Sequence, residues 1–214
     1  MPRPDSITDD LRRDILAGVY PPGERLVELQ LTDRYGCGRA TVRSALIELT
    51  AEGLVEREAN RGATVRRITI AEAIEITESR AALESLIAAH AARNATDDER
   101  SELIDVIDRM RTAVAAADSG SYSELNALLH RRLREMSRHS VASHLVQNLR
   151  NRAAHHQYRL ALMPGRPAES LEQHATIVES VVTGNEAGAS AAMEKHLLSV
   201  IDVLGRWGDA DAPD

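Results

Sequence analysis

The chain has 214 residues, 43% hydrophobic and 28% charged, a composition that supports a packed core and excludes an intrinsically disordered polymer. There is no Phe, one Trp and four Tyr, so Ala, Leu, Ile and Val must fill the interior, which favours closely packed helices over a β-sandwich. The formal charge of −7, taken whole, argues against a nucleic-acid partner, and the single cysteine, Cys37, excludes an internal disulfide or a zinc site built from several cysteines.

The opening MPRPDSITDD lacks the apolar core of a secretion signal. No apolar run approaches the roughly 20 residues that span a bilayer, so the expectation is a cytoplasmic protein with no membrane partner. Ile7, Leu11 and Ile15 fall on one face of a first helix, which Gly18 and the turn Pro21-Pro22-Gly23 end. A second helix is predicted over residues 27–35, with Leu29 and Leu31 near its buried side. After Gly36-Cys37-Gly38 comes a third, over residues 39–52, with Val42, Leu46 and Leu49 spaced to face a core. Two helices separated by so short a turn have the spacing of a helix-turn-helix.

Arg39 and Arg43 project together from the N-terminal end of the third helix, the end that a recognition helix presents to base edges in the major groove. Thr41 between them suits a phosphate or a thymine methyl. Residues 53–57 and 63–66 read as two short strands around Asn60-Arg61-Gly62, a hairpin wing with Arg61 at its tip. The charge is divided accordingly. Residues 1–70 hold eleven Arg and eleven acidic residues and are neutral, so the remainder carries the whole −7, and residues 34–67 set seven Arg against four Glu.

From Ile70 onward breakers divide the chain into six apolar-periodic segments, predicted as helices near 71–93, 97–117, 121–138, 141–161, 168–183 and 186–205. Thr96-Asp97-Asp98-Glu99 is a capping box, and Asn185-Glu186 starts the last helix. Asn126 and His130 share one helical side, while His174 and His196 lie on or beside apolar stripes, where an imidazole is costly to bury alone. Singly, each is an ordinary partly buried histidine. Together they are candidate ligands for a divalent metal with positions left open for a small molecule.

The segment LRRDILAGVYPPGERLVELQLTDRYGCGRATVRSALIELTAEGLVEREANRGATV resembles the winged helix of the GntR family of bacterial transcription regulators. It carries the Pro-Gly-x-x-Leu turn, the Arg-x-x-x-Arg of the recognition helix, Glu-Gly-Leu-Val and the Arg-Gly wing, in order. Gly38 and Ala40 replace hydroxyl residues usual in that family. The resemblance implies contacts to double-stranded operator DNA by Arg39, Thr41, Arg43, Arg61 and Gly62. The helical part is similar to the FCD ligand-binding domain of the family's FadR branch, on Arg80-Ala81-Ala82-Leu83-Glu84, Asn126-x-x-x-His130, His174-Ala175-Thr176-Ile177 and Met193-x-x-His196-Leu197.

That second resemblance implies a metal held by Asn126, His130, His174 and His196, with Zn²⁺ first and Ni²⁺, Mn²⁺ or Co²⁺ as alternatives, and with Asn126 where the branch carries Asp. It also implies a small carboxylate effector, which Arg80 is expected to meet, and a homodimer. The expected organisation is mainly α. A winged helix-turn-helix over residues 1–68 precedes an all-helical FCD-type bundle of about six helices over 69–207, for effector binding and dimerisation, and an acidic tail follows over 208–214. The expected function is a DNA-binding repressor controlled by an organic acid at the metal. A metal-free regulator of a larger apolar ligand, a sensor of the metal itself and a metal-dependent hydrolase are the alternatives.

Overall fold

A computed structural model of the chain describes residues 4–58, 62–153 and 165–210. The chain divides into two compact units, residues 1–69 with 150–155, and residues 70–149 with 156–214.

The first unit runs α1 (Pro4–Leu16), β1 (Arg25–Leu26), α2 (Glu28–Tyr35), α3 (Arg39–Ala51), β2 (Val55–Glu58) and β3 (Gly62–Val65). The predicted stripe of α1 is buried, Ile7, Leu11 and Ile15 being at most 8% exposed, and Leu11 and Ile15 join Val42, Leu46 and Leu49 of α3 in one core. On α2 only Leu31 is buried. Leu29 is 54% exposed, because residues two apart cannot share a helix face. The three strands form one antiparallel sheet in the order β1-β3-β2. The wing strands were legible as a hairpin, whereas β1, two residues long, has no periodicity to read. Gly23, at φ +85, turns the chain into β1 and donates its N–H to the Val65 carbonyl at 2.7 Å. Asn60 and Arg61 of the wing tip lie outside the described residues.

The second unit contains α4 (Ile70–Asn94), α5 (Asp97–Ala115), α6 (Ser119–Ser137), all but the last three residues of α7 (Ser140–Arg152), α8 (Arg166–Val182) and α9 (Glu186–Ala210). Thr96 and Glu99 form the expected reciprocal cap of α5. Helix α6 begins two residues early because Asp118 caps it, accepting the Ser121 N–H at 3.0 Å, so Gly120 lies inside the first turn. Helix α9 continues to Ala210, three residues into the predicted tail. The stretch predicted as helix beyond residue 153 lies outside the described residues. In place of Phe, the core is filled by Ile87, Leu103, Met110, Leu129, Leu133, Met136, Ile177 and Met193, each at most 1% exposed. Helix α4 packs against α9, and its Ala73, Ala88, Ala91 and Ala92 are fully buried. No helix among the described residues is long and apolar enough to cross a membrane.

Candidate functional site

In the first unit the candidate surface is the start of α3. Gly38 is the N-cap in extended conformation and offers no side-chain cap, so the missing hydroxyl leaves the first-turn amides of α3 uncapped by a side chain. Arg39 and Arg43 are exposed and Thr41 is half-buried, while Val42, Ala45 and Leu46 turn inward. Two polar contacts fix α3 against α1: Thr8 Oγ1 donates to Glu48 Oε2 at 3.0 Å, and Arg12 Nε to Glu52 Oε2 at 2.8 Å. The Arg43 Nε–H meets both oxygens of Glu28 on α2, at 3.0 and 2.9 Å. Gly62 is exposed at φ +91, at the start of β3. Arg61 lies outside the described residues.

The second unit brings the three singled-out histidines together. α6, α8 and α9 each bury one imidazole, with His130 3%, His174 1% and His196 5% exposed. One ring nitrogen from each lies within 4.8 Å of the others. Metal–nitrogen distances are about 2.0–2.1 Å, so to share one ion the three nitrogens would have to draw closer by side-chain rotation. The His174 ring stands edge-on to His130 at 5.3 Å between centroids and lies 4.5 Å from that of His196. Asn126 is one helical turn before His130 on α6, and its buried Oδ1 has no hydrogen-bond partner among the described residues. A hydrogen-bond donor or a cation would satisfy such an oxygen.

Two further contacts fix how the imidazoles are presented. His130 Nδ1 lies 3.0 Å from Glu84 Oε2, and the other Glu84 oxygen accepts Arg80 Nε–H at 2.7 Å. His196 Nδ1 lies 2.8 Å from Gln173 Oε1, which also accepts from Ser199 Oγ at 3.1 Å. A carboxylate and an amide oxygen only accept, so each Nδ1 carries a proton, and in the neutral form of each ring Nε2 keeps its lone pair. Burial holds the His196 pKa well below the ordinary imidazole value, and the neighbouring His130 and the Arg166 guanidinium act in the same direction. His196 is therefore neutral, the state that binds metal.

Arg80, expected at the effector, is 4% exposed and shares the buried carboxylate of Glu84. Its Nε–H is thus committed, and the terminal nitrogens are what it can offer a ligand. Sequence reasoning missed three residues here. Glu84 was visible as an i, i+4 partner for Arg80, but its contact to His130 spans 46 positions. Gln173 adjoins His174 in sequence yet serves His196. Arg166, at the start of α8, is 6% exposed and donates from Nη2 to Ser199 Oγ at 3.0 Å. The other described histidines do not join the cluster. His139 Nδ1 accepts the Ala142 N–H at the start of α7, with the His90 ring 5.2 Å away, and His144 is exposed. His155 and His156 lie outside the described residues.

Both parts of the chain match known families. Residues 4–65 match the family described as bacterial regulatory proteins, gntR family, and residues 75–199 match the FCD domain. The chain is 26% identical over 190 residues to the HTH-type transcriptional repressor RspR of Escherichia coli K12, covering 89% of this chain and 83% of that protein. It is also 26% identical over 202 residues to the HTH-type transcriptional repressor GlaR of the same organism, covering 91% and 92%. The solved structure of E. coli McbR/YncC superposes with a TM-score of 0.83 at 20% identity, covering 97% of this chain and 99% of that one, which shows the fold. These relatives are regulators and not enzymes, which sets the hydrolase aside. With both domains matched in order, the chain belongs to the GntR family and is a DNA-binding transcription regulator of the type that carries an FCD effector domain.

Proposed function

We propose that this regulator represses its target genes as a cytoplasmic homodimer, and that a small organic acid bound at a divalent metal in the helical unit relieves the repression. Each subunit lays the start of α3 in a major groove, with Arg39, Thr41 and Arg43 at base edges and phosphates. The wing, with Arg61 and Gly62, meets the flanking backbone. Two subunits match two half-sites of a near-palindromic operator. The repressor names of RspR and GlaR support the sign of regulation.

His130, His174 and His196 would hold the ion, together with the carbonyl oxygen of Asn126. Zn²⁺ is the first choice, and Ni²⁺, Mn²⁺ and Co²⁺ accept the same donors. Bound there, the ion supplies open Lewis-acid positions for an effector carboxylate. Arg80 offers that carboxylate its terminal nitrogens from beside Glu84. The effector acts by binding two arrangements of the dimer unequally.

One observation carries the metal reading: three buried imidazoles converge, and two of them meet acceptors through Nδ1, which turns Nε2 of the neutral ring into the free donor atom. A pocket built for an apolar ligand has no use for that arrangement. The test is elemental analysis of the purified, untagged protein beside His174→Ala. The expected result is about one metal per chain, lost in the variant. No metal in either protein, even after reconstitution, would overturn the metal centre and leave the regulator with ligands held by hydrogen bonds or apolar contacts.

A further inference from the structure

Ile47 is 57% exposed on α3, a helix whose other large apolar side chains, Val42, Leu46 and Leu49, are buried. Exposure alone says little, since single apolar side chains stand on most protein surfaces. The position says more. Arg39, Arg43 and Ile47 follow one another four residues apart, so they form one ridge along the helix, and all three are exposed. The neighbours of Ile47 on that face, Ala40, Ser44 and Ala51, are exposed too, and small. The polar contacts that hold α3 go to Arg43, Glu48 and Glu52 and leave Ile47 uncovered. Ile47 therefore stands proud of the face that the two arginines share.

The major groove offers hydrogen-bond donors, acceptors and one apolar group, the C5 methyl of thymine. An isoleucine set against a donor or an acceptor strips it of water and returns no hydrogen bond, which is a penalty. Set against the methyl, both apolar surfaces leave water together. A phosphate gains nothing from such a side chain.

We infer that Ile47 is a specificity-determining residue of the recognition helix, packing on a thymine methyl and rejecting the other bases at that position. This rests on the placement of α3 in the major groove proposed above, and adds the one base edge that an apolar contact can read. Ile47 stands about 6 Å along the helix from Arg43, the rise of four residues, so the thymine is expected within about two base pairs of the group that Arg43 meets.

The test uses an operator selected from random duplexes by the full-length protein. Each thymine in it is replaced in turn by deoxyuridine, which removes the methyl and nothing else. Gel shifts measure binding by the wild type, Ile47→Ser, Ile47→Val and Arg43→Ala. At one or two thymines per half-site the replacement is expected to weaken the wild type about fourfold, the equivalent of one methyl-sized group returned to water. Ile47→Ser is expected to bind the thymine and deoxyuridine forms about equally there, with its affinity for random duplex and its salt dependence unchanged. Ile47→Val should keep most of the methyl effect. A wild type indifferent to every methyl, or a methyl effect that survives in Ile47→Ser, overturns the assignment of Ile47, while a loss of operator binding in Arg43→Ala keeps the reading surface on α3. If Arg43→Ala also binds unchanged, the surface itself is misplaced. An Ile47→Ser protein that reads DNA as before but self-associates more weakly makes Ile47 a protein contact, and overturns the inference as well.

Discussion

Glu84 satisfies two buried groups at once, taking the Arg80 guanidinium on one oxygen and the His130 imidazole on the other. Breaking a buried ion pair on one side leaves a charge without compensation, at about 3–5 kcal/mol. Losing the acceptor behind a metal-binding histidine lowers metal affinity by about 10–100-fold. Glu84→Gln keeps the shape and removes the charge, so it is expected to show both losses, in thermal melting and in chelator competition. If the variant melts early but keeps its metal affinity, Glu84 is a partner for Arg80 and nothing more. At this scale the sequence showed the members and not the meeting. Arg80 and Glu84 are an i, i+4 pair that spacing reveals, and Asn126 and His130 likewise. That His174 and His196 converge on His130, and that Gln173 turns toward His196 rather than its own neighbour's side, depends on how three helices pack. No local period encodes that.

The helices were the most legible elements, because their stripes and caps are local. Thr96 and Glu99 announce α5, and Ile7, Leu11 and Ile15 give the buried face of α1. Signals running against the local pattern were lost: a two-residue strand, Asp118 overriding Gly120 at the start of α6, and the choice of Leu31 over Leu29. The α2–α3 contact has a consequence for DNA binding. Glu28 occupies Arg43 in the free protein and adds a negative charge beside the surface that must meet phosphates. An exposed pair of this kind is weak and easily exchanged. Glu28→Gln is therefore expected to tighten binding to non-operator DNA by about two- to fivefold and to narrow the gap between operator and random sequence. Arg43→Ala is expected to weaken operator binding by about 5- to 150-fold and to relax sequence preference at one position of each half-site. Competition gel shifts with operator and random duplexes measure both. Unchanged affinity and preference in Arg43→Ala would place the reading surface elsewhere than the start of α3.

At the scale of the whole chain, composition settled the fold class, since a core without Phe is filled here by Leu, Ile, Met and Ala on nine described helices. Net charge settled less, because the −7 belongs to the residues after 70 and the first seventy are balanced. A DNA-binding surface within a balanced seventy-residue segment has to work through a few well-placed arginines rather than through a general positive field, while the acidic remainder repels DNA that the recognition helices do not engage. The salt dependence of operator binding should reflect this. In the proposed dimer, Arg39, Arg43 and Arg61 from each of two subunits would make six cationic contacts, and with about 0.9 counterion released per phosphate neutralised the limiting log–log slope is about −5. Any of these arginines that meets a base edge releases no phosphate counterion, so the expected slope lies between about −3 and −5. Fluorescence anisotropy over a salt series reads it directly, and Arg39→Ala, removing one contact per subunit, should flatten it by up to about 2. A slope far steeper than −5 would show that cationic groups beyond these three carry the interface. A slope near zero would remove the phosphate backbone from the recognition altogether, because no arrangement of arginines on a polyanion escapes counterion release.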